Sequence, residues 1–401
     1  MTGPLQHDLA DVPPDGWDVV VAGAGPAGAS AALHLARRGR RVLLTDRHAF
    51  PREKVCGDGL IPDALRALDR AGLLDEARRA AHAVRRVTLY SPGRIEVSLD
   101  GEFLTIKREA LDAIVAGGAV ASGAVFARAE VVGIDAGDGG VRVRAAGRDE
   151  PLRARLAIVA TGADVALPRA LGMVIRRQPT GIALRGYLRS THRIDDLVVS
   201  FDRSVLPGYA WIFPMGGGEY NVGVGAFPAE GFPRVNLHAI YDAFLREFPP
   251  ARALFAAAAG PASQRGAPLR CGLDGARALG PAGVAGVGEV VGSTYDFTGE
   301  GIGKAMETGE LAASAADAAL THGRPTMLAA YARRIEHDLR PRFRGYERAA
   351  GWMAHPWVCD LVFRRASRSP WLRSMAAGIL AETVDPADVF NLKGLVGSYL
   401  R

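Results

Sequence analysis

The chain of 401 residues is 48% apolar and 23% charged, enough to build more than one hydrophobic core, which excludes a disordered tail, a disulfide-bound miniprotein and a fibre. Cys56, Cys271 and Cys359 form no CxxC pair and the nine histidines no HxH or HExxH spacing, so neither a disulfide framework nor a metal centre is expected. The net charge of +6 arises between Tyr331 and Leu380, where ten arginines meet Glu336, Asp338, Glu347 and Asp360. There Trp352, Trp357, Phe363 and Trp371 interleave with Arg364, Arg365, Arg368 and Arg373. That segment is either an arginine-rich helical surface packed through its aromatics, or a face for anionic lipid or a pyrophosphate-bearing substrate. No nucleic-acid partner is expected.

Residues 1–16 carry Asp8, Asp11 and Asp15 without a basic or an apolar stretch. They read as a flexible tail with no signal peptide, and a cytoplasmic setting is expected. Asp18 to Ala22 follows as a β-branched buried strand, then the turn Gly23-Ala24-Gly25-Pro26-Ala27-Gly28, then the alanine-rich helix Ala29 to Arg38. Strand, glycine turn and helix account for the uncharged run from Val19 to Ala36 better than a membrane span does. Arg41 to Asp46 is a second strand ending on an acid, which completes a βαβ unit of about thirty residues with a dinucleotide fingerprint. In that unit Gly23 permits the turn, Gly25 lets the backbone approach a pyrophosphate, and Gly28 lets the helix pack on the sheet. The helix N-terminus faces the phosphates, and Asp46 is placed for a ribose diol.

Alternating strands follow at Arg86 to Tyr90 and Arg94 to Leu99, then a helix entered at Arg108, a hairpin over Ala129 to Ile134 and Val141 to Ala145, and a buried strand at Leu156 to Gly162. From Arg176 to Phe227 the pattern is antiparallel. A nucleotide-type strand returns at Gly283 to Glu289, and helical patterns run from Gly303 to the end. The expected fold class is α/β (α+β overall): a Rossmann-like nucleotide-binding domain over 17–87, 103–172 and 277–325, an inserted antiparallel-sheet substrate domain over 88–102 and 173–276, and a C-terminal helical region over 326–401.

Four motifs together carry a resemblance: the βαβ fingerprint; Pro51-Arg52-Glu53-Lys54-Val55-Cys56-Gly57-Asp58-Gly59; Tyr209-Ala210-Trp211-Ile212-Phe213-Pro214; and Gly288-Glu289 followed by Thr298-Gly299-Glu300-Gly301-Ile302-Gly303. In them the chain resembles the geranylgeranyl reductase family of FAD-dependent oxidoreductases, which share the p-hydroxybenzoate hydroxylase fold. The resemblance implies FAD held by Gly23, Gly25, Ala27, Gly28, Asp46, Arg47, Arg52, Lys54, Cys56, Gly57, Arg108, Gly288, Glu289, Gly299, Gly301 and Ile302. Two departures stand out: Glu289 where the family has Asp, and Val165 where it has Gly after Gly162-Ala163-Asp164. The expected external donor is NAD(P)H, with the choice left open.

Cys56 reads as an acid over the flavin, a redox-sensing thiol, or a small apolar filler. Tyr209, Trp211 and Phe213 alternate along a strand and so share one face, either as core or as the wall of a substrate pocket. The resemblance implies reduction of carbon–carbon double bonds in a polyprenyl or similarly apolar small molecule. A flavin monooxygenase or epoxidase tailoring a secondary metabolite is the alternative, and FAD in a non-redox role a third. Peripheral membrane contact through the basic aromatic C-terminal region accompanies the first.

Overall fold

The computed structural model describes residues 5–137, 139–206, 208–227, 235–260, 263–296 and 298–391. Two eight-stranded sheets organise it. The first has a parallel centre: Val125–Arg128, Val42–Asp46, Trp17–Ala22 and Leu152–Val159 lie side by side, and Val284–Gly286 also pairs with Leu152–Val159 in parallel. These strands are near-continuous runs of Val, Leu, Ile and Ala because both faces are covered. The hairpin Val131–Gly137 and Gly140–Ala145 extends one edge antiparallel.

The second sheet runs in the order Ser263–Leu269, Gly181–Arg189, Glu219–Ala226, Gly208–Gly216, Leu197–Ser200, His82–Tyr90, Glu96–Thr105, Gly59–Leu60. It contains the antiparallel strands expected after Arg176. The boundary expected at residue 88 shifts, because the whole strand His82–Tyr90 belongs here, as does Glu96–Thr105. The cause is long-range: Leu197–Ser200 pairs with His82–Tyr90 in parallel, a partner that local pattern does not reveal. The expected flexible tail also needs correction. His7–Asp8 adds a parallel edge to Val125–Arg128, and Leu9 and Val12 are buried against the first sheet. Residues 1–4 of that tail and 392–401 of the C-terminal region lie outside the described residues.

Helix Pro26–Ala36 is buried almost throughout and packs on helix Ile302–His322. Small side chains allow this approach, since a Cβ at Gly309 would overlap the Ala27 carbonyl oxygen. After Ile302–His322 come Arg340–Met353, Pro356–Ala366 and Pro370–Leu380, each with proline in its first turn, where its missing N–H costs nothing. A buried ionic cluster ties these helices to the rest. Lys304 Nζ meets Asp63 at 3.2 Å, Glu382 at 2.8 Å and also Glu307, while Glu382 accepts from Tyr295 Oη at 2.8 Å and from Arg342 at 3.2 Å. Burial pushes the Asp63 carboxyl up to about 7 against the pull of Lys304. No helix among the described residues is long and apolar enough to cross a membrane.

Candidate active site

A cavity of about 920 Å³ lies between the two sheets and the C-terminal helices. At one end is the glycine turn. Gly23 has φ +108, and a Cβ there would overlap the Ala160 carbonyl oxygen; a Cβ at Gly28 would overlap the Gly23 carbonyl oxygen. Both glycines are therefore required by the chain itself. Gly25 is different: a Cβ there meets only Arg52, at 3.6 Å. It N-caps helix Pro26–Ala36 without any side-chain cap, so the first N–H groups of that helix open on the cavity.

A second helix opens on the same cavity. Gly301 caps Ile302–His322, again with no side-chain cap, beside Gly299 at φ +68. The Gly299 backbone passes so close to Tyr209 that a Cβ would overlap the phenol oxygen, and Tyr209 Oη donates to the Thr298 carbonyl at 2.9 Å. Two uncapped helix N-termini on one cavity offer donors and positive dipole ends at two places. An elongated ligand that brings a pyrophosphate to one helix N-terminus and an electron-accepting ring to the other fits this arrangement, as FAD does. Glu289 reaches the same wall, its Oε1 accepting from the Arg270 N–H at 3.2 Å and its Oε2 lying 4.0 Å from Lys54 Nζ.

Between the two ends runs the loop 50–60. Asp46 Oδ2 accepts from the Ala24 N–H at 3.1 Å and from Arg52 Nε at 3.3 Å, and its Oδ1 from the His48 N–H at 3.0 Å. Arg52 continues to Asp112 at 3.1 Å, which holds Arg108 through two bonds of 2.7 and 2.9 Å. Arg108 in turn faces Cys56, whose thiol is pushed up by burial against the pull of that guanidinium. Cys56 is thus held as a neutral thiol and not as a thiolate.

The aromatic stripe is both wall and anchor. Tyr209, Trp211 and Phe213 line the cavity, and Trp211 and Phe213 lie 3.5 Å from where a Gly57 Cβ would be. Trp211 Nε1 donates to Asn221 Oδ1 at 2.9 Å, and Asn221 Nδ2 donates to the Cys56 carbonyl at 2.9 Å and to Asp58 Oδ2 at 2.8 Å. Asp58 also accepts from Tyr187 Oη. Its carboxyl is pushed by burial up to about 6, against hydrogen bonds from Tyr187 and Asn221 and the charges of Arg108 and Arg185. Protonated Asp58 therefore adds stability that is complete below the ordinary carboxyl range and lost as pH rises through about 6.

Residues 16–187 match the family model described as FAD binding domain. The menaquinone reductase of Mycolicibacterium smegmatis is 32% identical over 92% of this chain and 93% of its own length. Digeranylgeranylglycerophospholipid reductase 1 of Methanopyrus kandleri is 30% identical over 82% of this chain and 88% of its own. The chain belongs to the geranylgeranyl reductase family. As a member it is an FAD-dependent oxidoreductase. The fold agrees: a geranylgeranyl bacteriochlorophyll reductase-like protein from Thermoplasma acidophilum superposes with TM-score 0.78 at 20% identity over 96% of both chains. A flavin-dependent brominase does so with 0.75 at 19% identity over 96% of this chain and 99% of its own.

For this member of the geranylgeranyl reductase family, the residues expected at the cofactor gather on one cavity: Gly23, Gly25, Ala27, Asp46, Arg47, Arg52, Lys54, Cys56, Gly57, Arg108, Glu289, Gly299, Gly301 and Ile302 all line it. Gly28 and Gly288 stand behind the wall, where they let helix Pro26–Ala36 come close; a Cβ at Gly288 would lie 2.6 Å from that of Ala27. Sequence reasoning passed over Asp112, Asn221, Tyr187 and the burial of Asp58. A lone Asn inside the apolar strand Tyr220 to Gly225 was the available signal. Removing the Tyr209 hydroxyl in Tyr209→Phe keeps the ring and unties Thr298, so FAD binding is expected to weaken by about 0.5–1.5 kcal/mol. Titration of apoprotein with FAD measures it, and unchanged affinity would leave Tyr209 as wall only.

Proposed function

We propose that the protein reduces a carbon–carbon double bond in the polyprenyl chain of an apolar substrate. One observation carries this reading. Beyond the aromatic stripe the cavity wall is hydrocarbon: Val87, Leu89, Val97 and Val199 from the second sheet face Phe363 and Leu380 from the C-terminal helices. Such a wall suits a long flexible hydrocarbon. Similar proteins named for menaquinone and for a digeranylgeranyl lipid support a prenyl-bearing substrate.

When bound, FAD supplies the hydride that adds to the double bond. The chain's own tasks are separable. The N-terminus of helix Pro26–Ala36 binds phosphate, and the N-terminus of Ile302–His322 offers N–H donors to negative charge. Trp211 and Phe213 exclude water and wall the alkene. We take NAD(P)H as the external donor. The C-terminal helices, with Trp357 71% exposed and Arg364 and Arg368 on the surface, are the proposed contact with the membrane that holds such a substrate.

The test is anaerobic. FAD-loaded protein reduced by NADPH, NADH or dithionite and mixed with a prenylated quinone is expected to return oxidised flavin and a product that has gained two hydrogens, read by mass spectrometry. Incorporation of an oxygen atom on admission of air would replace the reductase reading with the monooxygenase one.

A further inference from the structure

Asp58 is fully buried yet lines the cavity. Its Oδ2 is engaged twice, by Tyr187 and Asn221, whereas its Oδ1 has no partner. The residue sits at φ +64, an unfavourable region for a residue with a Cβ, and the Ile106 N–H holds it by donating to its carbonyl at 3.0 Å. A proton on Oδ1 is the placement that leaves no bare, buried anionic oxygen.

The groups facing Asp58 come from every packed element. Tyr187 and Arg185 stand on Gly181–Arg189, Asn221 on Glu219–Ala226, Arg108 on helix Arg108–Ala121, and Cys56 in its own loop. Burial raises the carboxyl and Tyr187, Asn221, Arg108 and Arg185 pull it back, so that it titrates at about 6. Other groups on the wall are less free to act: burial pushes the Cys56 thiol and the Tyr209 phenol further up, Tyr209 is committed to Thr298, and Asp63, itself pushed up to about 7, is bound to Lys304 at 3.2 Å. Glu300 is also pushed well up by burial, but Asp63 and Glu382 beside it place it with the ionic cluster. Tyr187 leads outward. Its half-buried ring lies under Lys107 Nζ at 4.6 Å and Arg185 at 4.3 Å, and Lys107 reaches the surface.

We propose that Asp58 is the acid that protonates the alkene, a role that rests on the reductase reading, and that Tyr187 returns a proton to it from solvent. The Asp58 O–H bond breaks as a C–H bond forms at one alkene carbon. Hydride from the reduced flavin, its two electrons supplied by a nicotinamide or dithionite, forms the C–H bond at the other. The product carries two new hydrogens and the flavin ends oxidised; the Tyr187 hydroxyl passes its proton to Asp58 Oδ2 and takes another from solvent, and a half-turn of the carboxyl about Cβ–Cγ brings the new O–H to the Oδ1 position.

The experiment uses FAD-loaded Asp58→Asn, Tyr187→Phe and wild type with a prenylated quinone. In wild type, single-turnover oxidation of the dithionite-reduced flavin is expected to slow as pH rises through the Asp58 titration. Asp58→Asn is expected to lose at least about 100-fold, the scale of general acid catalysis, and the pH dependence with it, while binding FAD as before. Infrared titration without substrate is expected to show a protonated-carboxyl band in wild type that Asp58→Asn lacks. Tyr187→Phe is expected to keep the first turnover and slow later ones, and this decides the matter if Asp58→Asn does not fold. Unchanged rate and pH profile in Asp58→Asn, or unchanged later turnovers in Tyr187→Phe, would overturn the assignment alone. A wild type that never oxidises its flavin with any prenyl compound would overturn the reductase reading and the assignment together.

Discussion

Gly25→Val is expected to give a folded protein without FAD. The reason lies in what surrounds this one glycine. At Gly23 and Gly28 a side chain collides with the protein's own carbonyl oxygens, so substitutions there confound folding with binding. At Gly25 the φ of −69° is ordinary for any residue, and an added Cβ meets only a guanidinium tip at 3.6 Å. The space a valine would fill is therefore the space the cofactor's pyrophosphate needs, directly above the free N–H groups of helix Pro26–Ala36. The prediction is a melting temperature near that of wild-type apoprotein and loss of the flavin absorbance after purification. Full flavin occupancy in this variant would place the pyrophosphate elsewhere and undo the fingerprint assignment.

How far the site could be read in advance depended on the distance between partners. The βαβ unit was legible because strand, glycines, helix and Asp46 lie within about thirty residues and each position has a local physical reason. Spacing pointed to a ribose for Asp46; it did not show that the same carboxylate also ties Ala24, His48 and Arg52 together at the cavity wall. Asp58 stood in plain view inside a motif. Its burial did not, because the residues that enclose it, Tyr187 and Asn221, lie 129 and 163 positions away on two paired strands of the second sheet. The boundary at residue 88 cut through the strand His82–Tyr90 for the same reason: alternation announces a strand but not which sheet takes it. The tail was misjudged because a two-residue edge strand carries no periodicity at all.

Trp211→Ala separates the two duties that the aromatic stripe combines. Trp211 is 5% exposed, and its ring occupies the space above Gly223, where any Cβ would overlap it. Truncation empties a ring-sized volume, a loss of roughly 3–5 kcal/mol for a large aromatic. It also strips Asn221 of its donor, and Asn221 is what holds the Cys56 carbonyl and the Asp58 carboxylate in place. Trp211→Ala should therefore melt well below wild type and lose part of its FAD, because the loop against the cofactor is no longer fixed. Trp211→Phe restores most of the apolar contact but not the N–H, so it should recover most of the stability and less of the FAD retention. The remaining question concerns the fraction that stays folded and loaded. If the ring walls the substrate, that fraction turns over slowly and accepts bulkier prenyl compounds. If it is only packing, activity per bound FAD is unaltered in both variants, and thermal melts with and without substrate shift by the same amount as in wild type. The second pattern would leave Trp211 a structural residue and confine the pocket to Phe213 and the hydrocarbon wall beyond it.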